Sequence, residues 1–286
     1  GSSALEQNTT GANNVAIGRT ALDANTTGAG NVAIGKDALT ANTTASDNTA
    51  VGLNALLTVT TAANNTAVGT SALKLNTGID NTAVGRGALL NNSTATEGTA
   101  IGKDALLENT TGEGNTGLGK AAMQDNTTGS YNVGVGLNAL SNNTTVDNNT
   151  AVGVNAMLVN TTGADNVAIG RSALDANTTA SNGVAVGMDA LGANTTGNNN
   201  TAVGKGALGS QTTGADNVAI GHLALNTQTT EGYNTAIGKQ VGESNTSGSG
   251  LVAVGYQAAD ANTTADYITA IGYQALGGNT TGSSNT

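Results

Sequence analysis

One short string, Asn81-Thr82-Ala83-Val84-Gly85, constrains this chain more than any other feature. Edited versions of it close at Gly18, Gly35, Gly52, Gly69, Gly85, Gly102, Gly119, Gly136, Gly153, Gly170, Gly187, Gly204, Gly221, Gly238, Gly255 and Gly272, sixteen in all. Successive glycines are 17 residues apart, except for one gap of 16 between Gly69 and Gly85. A fixed period this short is the signature of a solenoid or fibre. Each unit contacts only its neighbours, so the usual reading of length as domain count does not apply.

Numbered from its Asn, a rung has Thr or Val at position two, Ala at three, an aliphatic residue at four and Gly at five. Gly117 and Gly134 are the two exceptions at position three. β-branched residues flanking a small one fit a pleated strand, and the Gly permits a bend that a Cβ would obstruct. Positions eight and nine are mostly Ala-Leu, with Met123 and Met157 as substitutes. Six or so residues are too few for an independent helix. A short second strand is therefore expected there, with a single helical turn as the rival. Positions twelve to fourteen are Asn-Thr-Thr, and the one deletion falls on them, at Asn76-Thr77-Gly78. Deletions are tolerated in exposed loops, which makes this segment the outer turn.

The expectation is one coil per rung, stacked in parallel, with the aliphatic side chains pointing inward. A lone rung buries only two or three of these, worth about 2 kcal/mol each. Stacking, and burial of the Ala face against other chains, are expected to complete the structure. Gly1 falls one period before Gly18, and Asn285-Thr286 opens another unit. Residues 1–286 thus read as a single uninterrupted array, a window from a longer fibre.

Composition narrows the choice further. Phe, Trp, Pro and Cys are absent and only five Tyr are present, so the interior must be narrow and there is no disulfide framework. The formal net charge is −10. That argues against nucleic acid, whose binding needs clustered Lys and Arg. No apolar run reaches the length of a membrane span, so no membrane insertion is expected.

Asn31-Val32-Ala33-Ile34-Gly35 and Asn166-Val167-Ala168-Ile169-Gly170 resemble the Asn-Ser-Val-Ala-Ile-Gly signature of YadA-like heads. Those are the collagen-binding heads of trimeric autotransporter adhesins, and similar repeats look common in phage tail fibres. The resemblance recurs in every rung. It implies a left-handed parallel β-roll, three chains side by side, and surface attachment outside a cell or on a virion. This rung is longer than the usual family repeat, the extra length lying in the Asn-Thr-Thr turn.

Three columns carry candidate chemistry. The Asn-Thr-Thr turn creates glycosylation sequons at Asn8, Asn25, Asn42, Asn92, Asn109, Asn126, Asn143, Asn160, Asn177, Asn194, Asn245, Asn262 and Asn279. On an extracellular turn these would hold glycans; the alternative is a structural ladder of Asn and Thr hydrogen bonds. Val59, Gln211 and Gln228 replace the Asn while the Thr pair remains, which favours the ladder.

Position six holds eight of the nine Lys and Arg residues: Arg19, Lys36, Arg86, Lys103, Lys120, Arg171, Lys205 and Lys239. It reads as an anion-binding stripe or as a solvated face paired with Asp37, Asp104, Asp23 and Asp175. Leu53, Thr70, Leu137 and Val154 interrupt it. The third column, with Asp47, Asp80, Asp165 and Asp216, is a calcium candidate or an ordinary turn.

His222 is the only histidine and stands in the basic column. No nucleophile–base pair stands out, so no catalytic, cofactor or metal residue is assigned and an enzyme is not expected. Near the C-terminal end Val241-Gly242 replaces Ala-Leu, Leu251 and Ile268 replace Asn, and Tyr256, Tyr267 and Tyr273 gather. That is a contact patch or plain drift.

The expected function is a structural, adhesive extracellular fibre. Its expected partners are its own copies, as a homotrimer or an end-to-end filament, and a host surface, matrix or glycan. The alternative is an ice- or crystal-surface binder using Thr columns. A polysaccharide-processing β-helix enzyme would need an acidic cleft and aromatic platforms, and the sequence shows neither.

Overall fold

A computed structural model describes residues 1–286. The chain is all-β, contains no helix, and divides into two compact units, Gly1–Asp147 and Asn148–Thr286. The first carries β1 (Val15–Ile17), β2 (Val32–Ile34), β3 (Thr49–Val51), β4 (Thr66–Val68), β5 (Thr82–Val84), β6 (Thr99–Ile101), β7 (Thr116–Leu118) and β8 (Val133–Val135). The second carries β9 (Thr150–Val152), β10 (Val167–Ile169), β11 (Val184–Val186), β12 (Thr201–Val203), β13 (Val218–Ile220), β14 (Thr235–Ile237), β15 (Val252–Val254) and β16 (Thr269–Ile271).

Within each unit every strand pairs in parallel with the next. Register is fixed rung on rung: Ala16 faces Ala33 in the first unit and Ala168 faces Ala185 in the second. At the shortened rung Ala67 still faces Ala83, so the missing residue is absorbed in the turn. Each unit is therefore a parallel β-solenoid with one coil per repeat, as the spacing predicts.

The strand faces the other way from the expectation. Ala at position three points inward and is fully buried in β2 to β6, whereas positions two and four point outward. Successive Cβ atoms alternate across a strand, so one choice fixes all three. The inner space next to the strand is taken by the Ala-Leu pair, and only a small residue fits against it. Gly134 shows how tight the fit is: a Cβ there would lie 2.7 Å from Cγ of Met123.

Ala-Leu forms neither a second strand nor a helical turn. It lies in a run of turns in which positions seven and nine adopt left-handed backbone. Position seven is rich in Asp, Asn and Gly, such as Asp37, Asn54 and Gly87, which tolerate that conformation. Position nine is different. In the first unit Leu22, Leu39, Leu56, Leu73, Leu89, Leu106, Met123 and Leu140 all have φ between 48° and 55°. An L-residue held there costs about 1–2 kcal/mol. Burying the side chain completely contributes about 1.5–3 kcal/mol, which offsets the strain. The amides also bond the next coil, as from Leu106 N to Ala122 O at 3.0 Å.

The loosened C-terminal rungs repack by exchange. Where Gly242 stands in place of the Leu, Leu251 replaces the Asn nine residues on and is buried. A Cβ at Gly242 would lie 3.0 Å from Cδ2 of Leu251, so the second side chain occupies the room of the first. Ala259 and the buried Ile268 repeat the exchange one coil later.

The position-five glycine is required twice over. Gly102 has φ of 137°, and a Cβ on it would lie 2.4 Å from the carbonyl oxygen of Gly119 in the next coil. Gly102→Ala is expected to lower stability by more than about 1 kcal/mol, through backbone strain and the clash together. Thermal unfolding followed by circular dichroism reads the effect, and an unchanged melting temperature would contradict this account of the bend.

Candidate functional site: buried amide ladders and exposed columns

The sequon column lies mostly inside the coil. Eleven of its thirteen asparagines are buried: Asn25, Asn42, Asn92, Asn109, Asn126, Asn143, Asn160, Asn177, Asn194, Asn245 and Asn262. Asn8 and Asn279 are half-buried. Their amides build a ladder, and in the first unit Asn25 donates to Asn8 Oδ1 at 2.7 Å and Asn42 to Asn25 Oδ1 at 2.8 Å. In the second unit Asn177 donates to Asn160 Oδ1 at 2.9 Å. A sugar on Nδ2 has no room at a buried position of this kind. The geometry is that of the structural ladder.

A second ladder runs beside it, built from the position-one asparagines. Each Oδ1 accepts the backbone N–H of the next coil, as Asn48 does from Asn65 N at 2.9 Å. Where both columns hold Asn, the two ladders meet on one carbonyl of the coil. Ala45 O accepts Nδ2 of Asn31 at 2.8 Å and Nδ2 of Asn42 at 3.0 Å. Gly163 O accepts Asn149 at 2.9 Å and Asn160 at 2.8 Å. Neither the second ladder nor its shared carbonyl is evident in the sequence, although the recurrent Asn at both positions was its visible signal.

Polar atoms are stranded along the ladder at its interruptions and at two Asn-to-Asn steps, where Asn177 Oδ1 and Asn262 Oδ1 are buried without a partner. Val59 offers nothing to Asn42 Oδ1, which is buried without a partner, and Asn194 Oδ1 is likewise stranded ahead of Gln211. Gln211 instead sends Nε2 to Glu231 O at 3.2 Å. Gln228 resumes the ladder toward the next coil, its Oε1 accepting from Asn245 at 3.3 Å, but its Nε2 goes to Glu231 O and leaves Gln211 Oε1 buried without a partner.

The two threonines of the turn have different surroundings. The first is pinned to the next coil: Thr26 sends Oγ1 and N–H to Thr43 O at 3.0 Å and 2.8 Å. The N–H of Thr27 reaches the same oxygen at 3.2 Å, while its side chain stands exposed. Sequence reasoning treated the pair as one column.

The basic column is exposed, and four of its eight cations make ion pairs. In the first unit Lys36 meets Asp37 at 3.4 Å, Lys103 meets Asp104 at 3.3 Å and Arg86 meets Asp104 at 3.8 Å. In the second, Arg171 meets Asp189 at 3.8 Å. Surface pairs of this kind contribute little to stability. The hydroxyl of Thr20, followed by Lys36 and Arg19, holds the Asp37 carboxyl below its ordinary range against the opposing effect of burial. Asp23 and Asp175 take no part in these ion pairs. Burial first, and the Asp189 charge second, push the Asp175 carboxyl up. His222 is exposed within the same column.

Asp47, Asp80, Asp165 and Asp216 all lie at φ between 58° and 60°, in the left-handed region. The same column holds Asn64, Gly30 and Gly114 in that conformation, which accounts for the residue choice. Asp80 accepts a hydrogen bond from Asn64 Nδ2 at 3.0 Å. Of the gathered tyrosines, Tyr256 and Tyr273 stack at 5.4 Å between centroids, with Lys239 Nζ 5.7 Å from the Tyr256 centroid. Tyr267 belongs instead to the left-handed column. No pocket opens in the surface.

No family model matches this chain, and no curated protein or solved structure matches it either.

Val59→Asn is expected to raise stability by about 1 kcal/mol, since it gives Asn42 Oδ1 a donor and returns a second amide to Ala62 O. A melting temperature that falls would show that the ladder contributes nothing at that coil. Asp175 supplies a pH test. A carboxyl whose folded pKa is raised destabilises the fold as pH climbs through its unfolded value, near about 4, and on to its folded value. Asp175→Asn should therefore stabilise at neutral pH and change nothing well below pH 4, as read by melting at both pH values.

Proposed function

We propose that the chain is a segment of a structural, adhesive fibre displayed outside a cell or on a virion, assembled by packing its outward strand face against copies of itself. The supporting observation is that face. Parallel sheets are ordinarily covered on both sides. Here Ala and Leu cover only the inner one, and the outer one is a double row of β-branched residues. Ile17 is 58 % exposed and Leu118 43 % in the first unit; Ile169 is 41 % and Ile237 38 % in the second. Rows of this kind through eight coils form a continuous exposed face, and continuous exposed apolar side chains of this sort mark interaction surfaces.

A homotrimer is the assembly that the sequence resemblance implies, and it would close three such faces around one axis. The charged columns and the Thr turns would then remain outside, available to a host surface, a matrix or a glycan. End-to-end addition of further copies would extend the same ladders. The net charge of −10 and the isolated cations, some of them locally paired, give such a surface no affinity for nucleic acid.

Sedimentation velocity tests the assembly. The expected particle has three times the chain mass of 27.6 kDa. Val84→Lys with Ile101→Lys, both on the outward face, should yield single chains that keep their circular dichroism spectrum. A wild-type chain that sediments as a monomer at micromolar concentration would overturn the self-packing reading.

A further inference from the structure

The second threonine of each turn is exposed, yet it does not vary as exposed positions do. Position fourteen is Thr in every full-length coil, for example Thr27, Thr44, Thr179, Thr196 and Thr213, except for Ser247. It is absent only from the shortened coil at Thr77-Gly78. Positions six, ten and sixteen, also at the surface, change from coil to coil among charged, polar and apolar types.

No intramolecular role explains the constancy. The hydroxyls of Thr27, Thr44, Thr179, Thr196 and Thr213 make no hydrogen bond within the protein, whereas the neighbouring Thr26, Thr43, Thr178, Thr195 and Thr212 hydroxyls all bond the next coil. Ser247 keeps the hydroxyl and drops the branch, and Val never appears at the position. What is retained is therefore a hydroxyl directed to solvent rather than a backbone preference. The Asn beside it changes at Val59, Gln211 and Gln228 without disturbing it.

The row is rigid and periodic. Its backbone is pinned by three bonds to one carbonyl, as from Thr26 N, Thr26 Oγ1 and Thr27 N to Thr43 O. Successive coils of a parallel ladder stand about 4.7–4.9 Å apart, so the hydroxyl and methyl groups recur at that interval. In the second unit the flanking position sixteen is small or uncharged at Ala164, Ser181, Asn198, Ala215, Gly232 and Ser249, and charged at Asp266. A row that repeats through a whole unit has no single ligand-sized centre. It matches a neutral ligand that itself repeats, with an oxygen spacing close to the coil interval. The surface of hexagonal ice has that repeat along its short axis.

We infer that the exposed file of second threonines is an ice-binding face, each hydroxyl and methyl holding one ordered water position and the contacts adding along the file. The file lies on the turn, away from the strand face, so this inference stands or falls separately from self-packing.

The test is thermal hysteresis and ice-crystal shaping by the purified full chain. It runs beside Thr179→Lys/Thr196→Lys/Thr213→Lys and beside the strand-face variant Val186→Lys/Val203→Lys, with circular dichroism confirming that each folds. The wild type should shape ice. The triple Thr variant should lose about tenfold or more of the hysteresis, because contacts along one file act together. The strand-face variant should still shape ice, whatever its mass in sedimentation. Absence of shaping by the wild type overturns the inference. So does full activity in the triple variant, loss confined to the strand-face variant, or capture by cellulose or chitin powder without ice shaping.

Discussion

Most coils are closed by one carbonyl that accepts two side-chain amides. Ala45 O receives Asn31 from the start of its coil and Asn42 from its turn. Both donors are buried, so water cannot replace either bond, and a lost partner would leave a polar atom stranded at about 1–3 kcal/mol. Asparagines in both columns also turn Oδ1 along the stack: Asn31 Oδ1 accepts from Asn48 N and Asn25 Oδ1 accepts from Asn42 Nδ2. One residue type thus joins the coil across its width and joins coil to coil along its length. A residue without both a donor and an acceptor could do only half of this, and a longer side chain misses the register: Val59 leaves Asn42 Oδ1 without a partner, and the two Gln leave Asn194 Oδ1 and Gln211 Oε1 without one.

With the amides on one side, the remaining interior is a narrow slot, filled by one Ala from the strand and the Ala-Leu pair from the turn. Leu reaches the slot only from left-handed backbone, and the same strained geometry recurs in nearly every coil. Strain of about 1–2 kcal/mol per residue would be prohibitive if unrewarded, but each such Leu is fully buried. The exchange of Gly242 for Leu251 shows that the slot needs its volume filled more than it needs Leu at a given position.

Much of this architecture was legible from the period alone. Sixteen glycines at fixed spacing gave coils, parallel register and the position of the deletion, because those follow from covalent length and stacking. The inward face was not legible. Val-Ala-Ile reads equally well with either side buried, and the answer lies in a volume match to the Leu or Met of the preceding coil, as Gly134 meets Met123 and Gly117 meets Leu106. The second strand failed for a related reason: Ala-Leu carries no mark of left-handed backbone, which Asp37 and Gly87 at position seven do carry. In the sequon column, Asn is the residue of both a surface glycan and a buried amide ladder. Only Val59, an apolar residue at a supposed surface turn, pointed to the inside.

The placement of function follows from this division. Interior positions are fixed by shared carbonyls and a volume-limited slot, so they cannot change without disturbing the coils on either side. Every outward position is free of that constraint, and most vary, as the basic column does from Lys36 to Leu53 to Thr70. An outward position that stays constant without an internal side-chain bond is where the proposed contacts beyond the chain would be made. Two columns meet that description: the β-branched strand face and the second threonine of the turn. The first is a continuous face of Val, Ile and Thr, suited to burial against protein; the second is a spaced row of hydroxyls, suited to ordered water. Because both are copied once per coil, affinity at either surface grows with the number of coils, and adding a repeat extends the function without altering the fold.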